Sequence, residues 1–421
     1  MIGRLRTLGT LWRNRTLAPE QLEALQLRKF QAVVEAARRE VPFYRDLYAA
    51  AGIEPGMPRT INDVRGLPIV TKAQMRAAGP EALVSTRPAS PRRVTMHTSG
   101  TTGEPLNIPL APADAQIRSL VDFRGLLSLG FRPWDTLVTV GPGYQRATAW
   151  QERLGVFRTI VIPGALPLDE QVQRLRLARP TVLWCYASEL GALLRHPDRP
   201  LRDVTPRFVI VSGASLDASV RRAAETELSC EVFVSYACME AGRIAIQCPS
   251  NNDLHVNADH LFMEIRQGNQ AAPWGEVGEV VLTTLNQSTM PFIRYHVGDR
   301  TAWTRAACTC GSTLPTIRAP EGRQETLLRF PGGEVQSPTR WFLILRELDV
   351  VGRYVVIQEA LDWMRVEIVP TRPWNAGEQD ALNQRLRVGL PSSVRLDLDT
   401  VERLHEQPGK LRQMISKLPV P

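Results

Sequence analysis

No apolar run in the 421-residue chain approaches the roughly 18 residues of a membrane-spanning helix, so no membrane span is expected. The first residues, MIGRLRTLGTLWRNR, are basic and lack the continuous apolar core of a signal peptide. They read as an exposed helix or tail, and the cytoplasm is the expected location. Cysteine is sparse, with six residues: Cys185, Cys230, Cys238, Cys248, Cys308 and Cys310. In a cytosolic chain of this size they imply no disulfide framework, and those outside any metal site are expected to be small buried residues. Internal repeats and low-complexity tracts are absent. No basic patch interleaved with aromatics stands out. The net charge of +8 comes from scattered residues, most of them arginine. A weak attraction for anionic ligands follows, but no nucleic-acid partner is expected.

What is present supports a large core. Hydrophobic residues make up 43% of the chain, enough for two or three domains. Residues 18–51 carry apolar positions at helical spacing with few breakers. From residue 114 the pattern alternates. DAQIRSLVDFRGLLSLG is helical, DTLVTVG and RTIVIPG are strand-like, DEQVQRLRLARP is helical, and TVLWCYA and RFVIVSGA are strands. SLDASVRRAAETEL and EVFVSYA repeat the helix–strand alternation, which implies a parallel or mixed sheet covered on both faces. From about 254 the texture becomes β-rich, with alternating segments broken by Gly and Asn. The last hundred residues read as a compact α+β unit. The expected fold class is therefore α/β: a large N-terminal region of α/β layers with a β-rich subdomain, plus a small C-terminal α+β domain.

The stretch HTSGTTGEPL, 97–106, packs hydroxyls and glycines into a few residues. Backbone N–H groups freed by glycine, with the hydroxyls of Thr98, Ser99, Thr101 and Thr102, could wrap phosphate oxygens. It lacks the lysine–hydroxyl pair of a nucleotide-hydrolase P-loop and the G-x-G-x-x-G spacing of a dinucleotide site. By composition alone it fits a turn-rich connector as well as a phosphate cradle.

Six motifs, in order, carry a resemblance: TSGTTGEP (98–105), SGASLD (212–217), SYACME (235–240), RYHVGD (294–299), EGR (321–323) and QPGKLRQ (407–413). Together they resemble the adenylate-forming superfamily of acyl-CoA synthetases, peptide-synthetase adenylation domains and luciferases. FYRDLY and LPIVTKAQMR are typical of its phenylacetate–CoA ligase branch. The resemblance covers nearly the whole chain. It implies an adenylation domain over 1–320, a hinge at 321–325 and a small mobile domain over 326–421. It further implies ATP-dependent activation of a small carboxylic acid as an acyl-adenylate, with release of pyrophosphate. Ser99, Gly100, Thr101, Thr102 and Gly103 would embrace the β- and γ-phosphates. Gly213, Ala214, Ser235 and Tyr236 would lie beside the nucleotide, with Tyr236 near the adenine. Glu240 would hold Mg²⁺, a cation that favours carboxylate and phosphate oxygens. Asp299 would accept both ribose hydroxyls, Arg323 would sit near ribose or phosphate, and Lys410 would bridge the carboxylate and the α-phosphate. Coenzyme A is the first choice of acceptor, and an aryl or arylacetic acid the natural substrate. A homodimer is the family-level expectation.

The sequence departs from the family pattern at three places. Glu104 stands where many relatives have lysine. Met239 replaces the usual hydroxyl residue before Glu240. Gln324 and Glu325 follow the hinge glycine and arginine. These leave open a specialised member or a degenerate, non-catalytic nucleotide-binding protein. A carrier-protein thiol or an amine, as in an amide ligase, remains an alternative acceptor. Tyr144, Trp150, Trp184 and Tyr186 fall on or after strand-like segments and line either the acid pocket or the core. His97 either positions the acyl substrate or caps the loop.

A separate constellation suggests metal. CPSNNDLH supplies Cys248 and His255, and CTCG supplies Cys308 and Cys310, the two halves lying 53 residues apart. Three thiolates and an imidazole suit tetrahedral Zn²⁺, and four protein ligands would make it structural. Buried free cysteines are the alternative reading.

Overall fold

The computed structural model describes residues 2–87, 93–97, 106–141, 150–163, 168–194, 200–213, 215–304, 308–321, 328–333, 335–336, 341, 344–345, 348, 350–388, 390–404 and 414–419. The chain divides into two units. One comprises Met1–Thr98, Glu104–Phe131 and Val234–Glu321; the other comprises Ser99–Gly103, Arg132–Phe233 and Gly322–Pro421.

The first unit opens on helices α1 (Ile2–Arg13), α2 (Pro19–Glu40), α3 (Pro42–Ala50), α4 (Ile61–Val64) and α5 (Lys72–Ala78). Proline at the first helical positions of α2 and α3 pre-sets their backbone, and Thr60 and Thr71 cap α4 and α5 in capping boxes with Asp63 and Gln74. On α2, Phe30, Val33, Val34 and Ala37 recur at the i, i+3, i+4, i+7 spacing and are buried. The N-terminal segment is a helix, but not a fully exposed one. Leu11 is buried, and its carbonyl accepts a hydrogen bond from Arg124 Nη1 at 2.7 Å. An antiparallel pair, β1 (Val94–His97) and β2 (Asn107–Leu110), flanks the hydroxyl-rich loop and leads into α6 (Pro112–Ser128).

Two sheets follow in this unit. One is antiparallel in the order β11 (Gln270–Ala271), β10 (Leu261–Gln267), β12 (Gly278–Thr284), β13 (Tyr295–Thr301). The other runs β14 (Trp303–Thr304), β15 (Thr316–Ile317), β9 (Leu254–Val256), β8 (Gly242–Gln247), β7 (Glu231–Cys238), with β7 belonging to this unit from Val234 onward. Their core includes Phe30, Tyr44, Met75, Leu282, Phe292 and Tyr295.

In the second unit, β4 (Arg158–Pro163), β3 (Thr136–Gly141), β5 (Val182–Tyr186) and β6 (Phe208–Ser212) are parallel neighbours in that order. All five residues of β6 are buried, the expected composition for a parallel strand covered on both faces. Helices α7 (Trp150–Arg153), α8 (Leu168–Ala178), α9 (Ala187–Leu194) and α10 (Ala218–Leu228) connect or follow these strands. The C-terminal segment has a separate core. After the short pair β16 (Leu328–Arg329) and β17 (Val335–Gln336), a mixed sheet runs β20 (Arg395–Thr400), β19 (Trp363–Pro370), β18 (Val351–Ala360), β21 (Met414–Ser416). Helix α11 (Ala376–Arg387), capped by Asn375, contributes Leu382 and Leu386 to its apolar core. The α/β class with a smaller α+β C-terminal part is thus the observed one. Among the described residues, no helix is long and apolar enough to cross a membrane.

Candidate active site and metal centre

The motif residues on β7 and β13 come together in the first unit. β7 delivers Ser235 and Tyr236, and the turn between β7 and β8 carries Met239 and Glu240. On β13, Gly298 adopts φ +81° where the pairing with β12 breaks between Glu279 and Val281. Glu279 faces Arg300 while Val281 faces His296, so Val297, Gly298 and Asp299 fall outside the regular register. Such bulges re-aim side chains, and here glycine supplies the left-handed backbone that precedes the carboxylate. Tyr236 donates its hydroxyl to Asp299 Oδ2 at 2.8 Å. Tyr295, at the start of β13, donates to Glu240 Oε1 at 3.0 Å. All four side chains are buried, so two carboxylates are held in a low-dielectric setting by aimed hydroxyls. Ser235 Oγ accepts from Arg243 Nη1 at 3.0 Å, and Arg243 is itself tied to Asp122 at 2.9 Å. Met239 is half-buried and packs against the core; it brings no hydroxyl to this turn.

In the second unit, Trp184 and Tyr186 project from β5 with ring centroids 5.3 Å apart at 64°. Gly213 has φ +95°, and a Cβ there would lie 2.4 Å from Tyr186 Cδ1. Glycine is required both by the backbone and by the ring that covers it. Tyr186 is buried and Trp184 half-buried. Ser99, Gly100, Thr101, Thr102, Gly103, Glu104, Tyr144, Ala214, Arg323, Gln324, Glu325 and Lys410 lie outside the described residues, as do the side chains of His97 and Trp150.

Sequence reasoning did not single out Arg118, nor a role for Tyr295. Arg118 is a buried cation on α6 whose guanidinium donates to the Met239 carbonyl at 2.8 Å and to the Glu240 carbonyl. The only local signal for it is a charge on the apolar face of a helix.

The cysteine–histidine constellation assembles. Cys248 follows β8 directly, His255 lies on β9, and Cys308 and Cys310 occupy the segment between β14 and β15. One ligand atom from each lies within 4.8 Å of the others. Cys248 Sγ is 3.1 Å from Cys308 Sγ, and Cys310 Sγ is 3.3 Å from His255 Nε2. The other ring nitrogen, Nδ1, lies 2.9 Å from the Leu314 carbonyl oxygen, an orientation that leaves Nε2 facing the sulfurs. Backbone N–H groups of Ser250 and Ser312 donate to Cys248 and Cys310 at 3.3 and 3.4 Å. Burial pushes the Cys248 thiol up, but bonds from Cys308, Ser250 and Cys310 outweigh it and hold it below its ordinary value. Burial also lowers the His255 pKa, keeping the imidazole in the neutral form that binds metal. Of the remaining cysteines, Cys185 and Cys238 are buried as expected, but Cys230, in the short connection between α10 and β7, is only half-buried.

No family model matches the chain. It is 27% identical over 376 residues to the phenylacetate–coenzyme A ligase of Thermus thermophilus, covering 85% of this chain and 84% of that protein. It is 28% identical over 403 residues to the phenylacetate–coenzyme A ligase of Aromatoleum evansii, covering 92% and 90%. The fold matches a 2-hydroxyisobutyryl-CoA ligase in its postadenylation state with TM-score 0.77 and 22% identity, covering 96% of this chain and 91% of that one. It also matches an anthranilate CoA ligase complexed with anthranoyl-AMP, with TM-score 0.56 and 15% identity, covering 91% and 79%. Fold and sequence similarity point the same way: the fold is shared with CoA ligases solved with acyl-adenylates, and the sequence relatives are phenylacetate–coenzyme A ligases. The six motifs carry the resemblance to adenylate-forming enzymes, and FYRDLY and LPIVTKAQMR the resemblance to their phenylacetate–CoA ligase branch.

Proposed function

We propose that the protein is an acid–thiol ligase that activates an aryl or arylacetic acid through an acyl-adenylate and transfers it to coenzyme A. In the first step a carboxylate oxygen attacks the α-phosphorus of ATP, the bond to the β-phosphate breaks, and pyrophosphate leaves. In the second, the CoA sulfur attacks the acyl carbon, the acyl–phosphate bond breaks, AMP leaves and the thiol proton passes to solvent. The observation that carries this reading is the paired geometry Tyr236–Asp299 and Tyr295–Glu240. Two buried carboxylates beside an aromatic suit ribose hydroxyls and a divalent cation.

In this reading Asp299 receives the ribose hydroxyls, Tyr236 borders the adenine, and Glu240 holds Mg²⁺. Ser99–Gly103 cradle the β- and γ-phosphates, Gly213, Ala214 and Ser235 border the nucleotide, Arg323 contacts ribose or phosphate, and Lys410 bridges the reacting groups. Trp184 and Tyr186 supply an aromatic wall for the acid. The arylacetic assignment leans on the relatives' substrate names. Residues 1–320 act as the adenylation domain, with a hinge at 321–325 and a mobile domain at 326–421. The Cys248–His255–Cys308–Cys310 cluster holds a structural Zn²⁺, because three soft sulfurs and one neutral imidazole at mutual contact distance match that ion's donor preference. We place the enzyme in the cytoplasm, as a homodimer.

The test is acid-dependent pyrophosphate exchange across a panel of aryl, arylacetic and short aliphatic acids, with CoA and amine acylation followed in parallel. Exchange with aromatic acids and CoA consumption are expected. Exchange that consumes amine but no CoA would identify an amide ligase. No exchange with any acid would reject the enzymatic reading.

A further inference from the structure

Glu240 is fixed from two independent directions. From below, Arg118 on α6 clamps the turn that carries it. Nη1 donates to the Met239 carbonyl at 2.8 Å, and Nη2 donates to the Glu240 carbonyl and to Gln287 Oε1. Gln287 in turn donates to the Met290 carbonyl, anchoring the clamp to the chain that leads into β13. An arginine buried to this degree ordinarily takes a carboxylate partner. This one spends its forked donors on two successive carbonyls of a single turn. From the side, Tyr295 donates to the Glu240 carboxylate at 3.0 Å and so limits rotation of its last torsion.

Tyr295 is itself aimed by unusual backbone. Arg294, immediately before it, adopts φ +45°, a region costly for a non-glycine residue. That conformation is over-determined. Nε and Nη2 of Arg294 form a fork onto Glu264, both at 2.8 Å, and Nη1 donates to the carbonyls of Arg65 and Leu67. Its backbone N–H donates to Thr283 Oγ1 at 2.9 Å. The Tyr295 ring packs edge-on against Phe292 with centroids 5.1 Å apart. Strain held in place by so many contacts, one residue from a hydroxyl aimed at a carboxylate, is the pattern of a preorganised site.

We propose that Arg118 and Tyr295 are positioning residues that set the Glu240 carboxylate for the magnesium ion of the nucleotide. The inference rests on the reading of Glu240 as the magnesium ligand. Partners that orient a metal ligand commonly change metal affinity by about 10–100-fold when removed. The test measures Mn²⁺ binding by electron paramagnetic resonance in the presence of ATP and the absence of acid, so that no turnover is involved. Tyr295→Phe and Arg118→Met should each raise the half-saturating Mn²⁺ concentration by about tenfold. Arg118→Lys, which keeps a charge but offers one donor point, should restore part of the loss. The thermal midpoint of Tyr295→Phe should remain close to wild type, separating positioning from folding. Glu240→Gln is the reference. If it binds Mn²⁺ with ATP as wild type does, the magnesium assignment itself fails and the inference falls with it. If Glu240→Gln is weakened while Tyr295→Phe and Arg118→Met bind as wild type, the positioning role alone is overturned.

Discussion

Gly213 bears two constraints at once, a positive φ and a tyrosine ring where a side chain would go. Gly155 bears only the first: its φ is +76° with nothing within 4 Å of a built Cβ. Alanine at position 213 should therefore cost more than alanine at 155. Overpacking adds about 1–3 kcal/mol to the backbone term. Urea unfolding of the two variants checks this, and equal losses would show that Tyr186 yields without strain. Arg124 and Asp259 give a second residue-scale case. Both are almost fully buried and paired by two bonds of 2.8 Å, with Asn14 adding a third donor to the carboxylate at 2.9 Å. Burial alone would raise the Asp259 pKa, but the charge and hydrogen bonds of Arg124 outweigh it and the pKa is lowered from 3.8. A carboxyl with a depressed folded-state pKa stabilises the protein above its ordinary value, and the contribution is lost as pH falls through the folded value. Arg124→Met strands the carboxylate, at a cost of about 3–5 kcal/mol near neutrality. It should also abolish this acid-side loss, because Asp259 then gains stability on protonation. Urea midpoints from pH 7 down to pH 3 for both proteins decide it.

At the scale of elements, the cysteine–histidine cluster brings together strands that are short on their own. β9 has three residues and β14 and β15 two each, so their ladder hydrogen bonds alone give little cooperativity. The purified protein should carry about one Zn²⁺ per chain, because the described residues bring together one set of three thiols and an imidazole. Chelation or Cys308→Ser should lower the thermal midpoint and speed proteolysis within residues 248–316. Stoichiometric metal retained by Cys308→Ser would exclude that thiol from the site. This cluster was legible in the sequence because each pair of ligands is local and its chemistry is borne by residue type. The alternation of helices and strands was legible for a similar reason, since the apolar run Phe208–Val211 of β6 follows directly from burial on both faces. Gly298 and Asp299 were marked by their motif, but the bulge in β13 that carries them was not. The clamp on Glu240 could not. Arg118 lies 122 positions from the carbonyl of Glu240 that it holds, and nothing near either residue in the sequence marks the other. The strained Arg294 was hidden for the same reason, because its conformation is maintained by Glu264 and by carbonyls more than 220 positions away.

For the molecule as a whole, the two half-reactions place different demands on charge. Forming the acyl-adenylate brings an anionic carboxylate to an anionic phosphate, so a cation between them lowers the barrier by stabilising charge that develops in the transition state. Forming the thioester expels AMP from a carbonyl already activated as a mixed anhydride, and no second anion approaches the phosphorus. Lysine suits the first task as a compact point charge, and Lys410 is one of few lysines in an arginine-rich chain. If the C-terminal segment serves adenylation through Lys410, then Lys410→Ala should reduce acid-dependent pyrophosphate exchange by at least about 100-fold. The same variant, given synthetic acyl-adenylate and CoA, should form thioester within about threefold of the wild-type rate, the order expected where no transition-state contact is lost. The comparison also probes Glu104, which stands where many relatives keep a positive charge. If Glu104→Lys raises exchange in the Lys410→Ala background, the phosphate loop has spare capacity for a cation, and the dependence on Lys410 is electrostatic. Equal loss in both half-reactions would instead mean that position 410 supports folding of the C-terminal segment, and the division of labour would have to be abandoned.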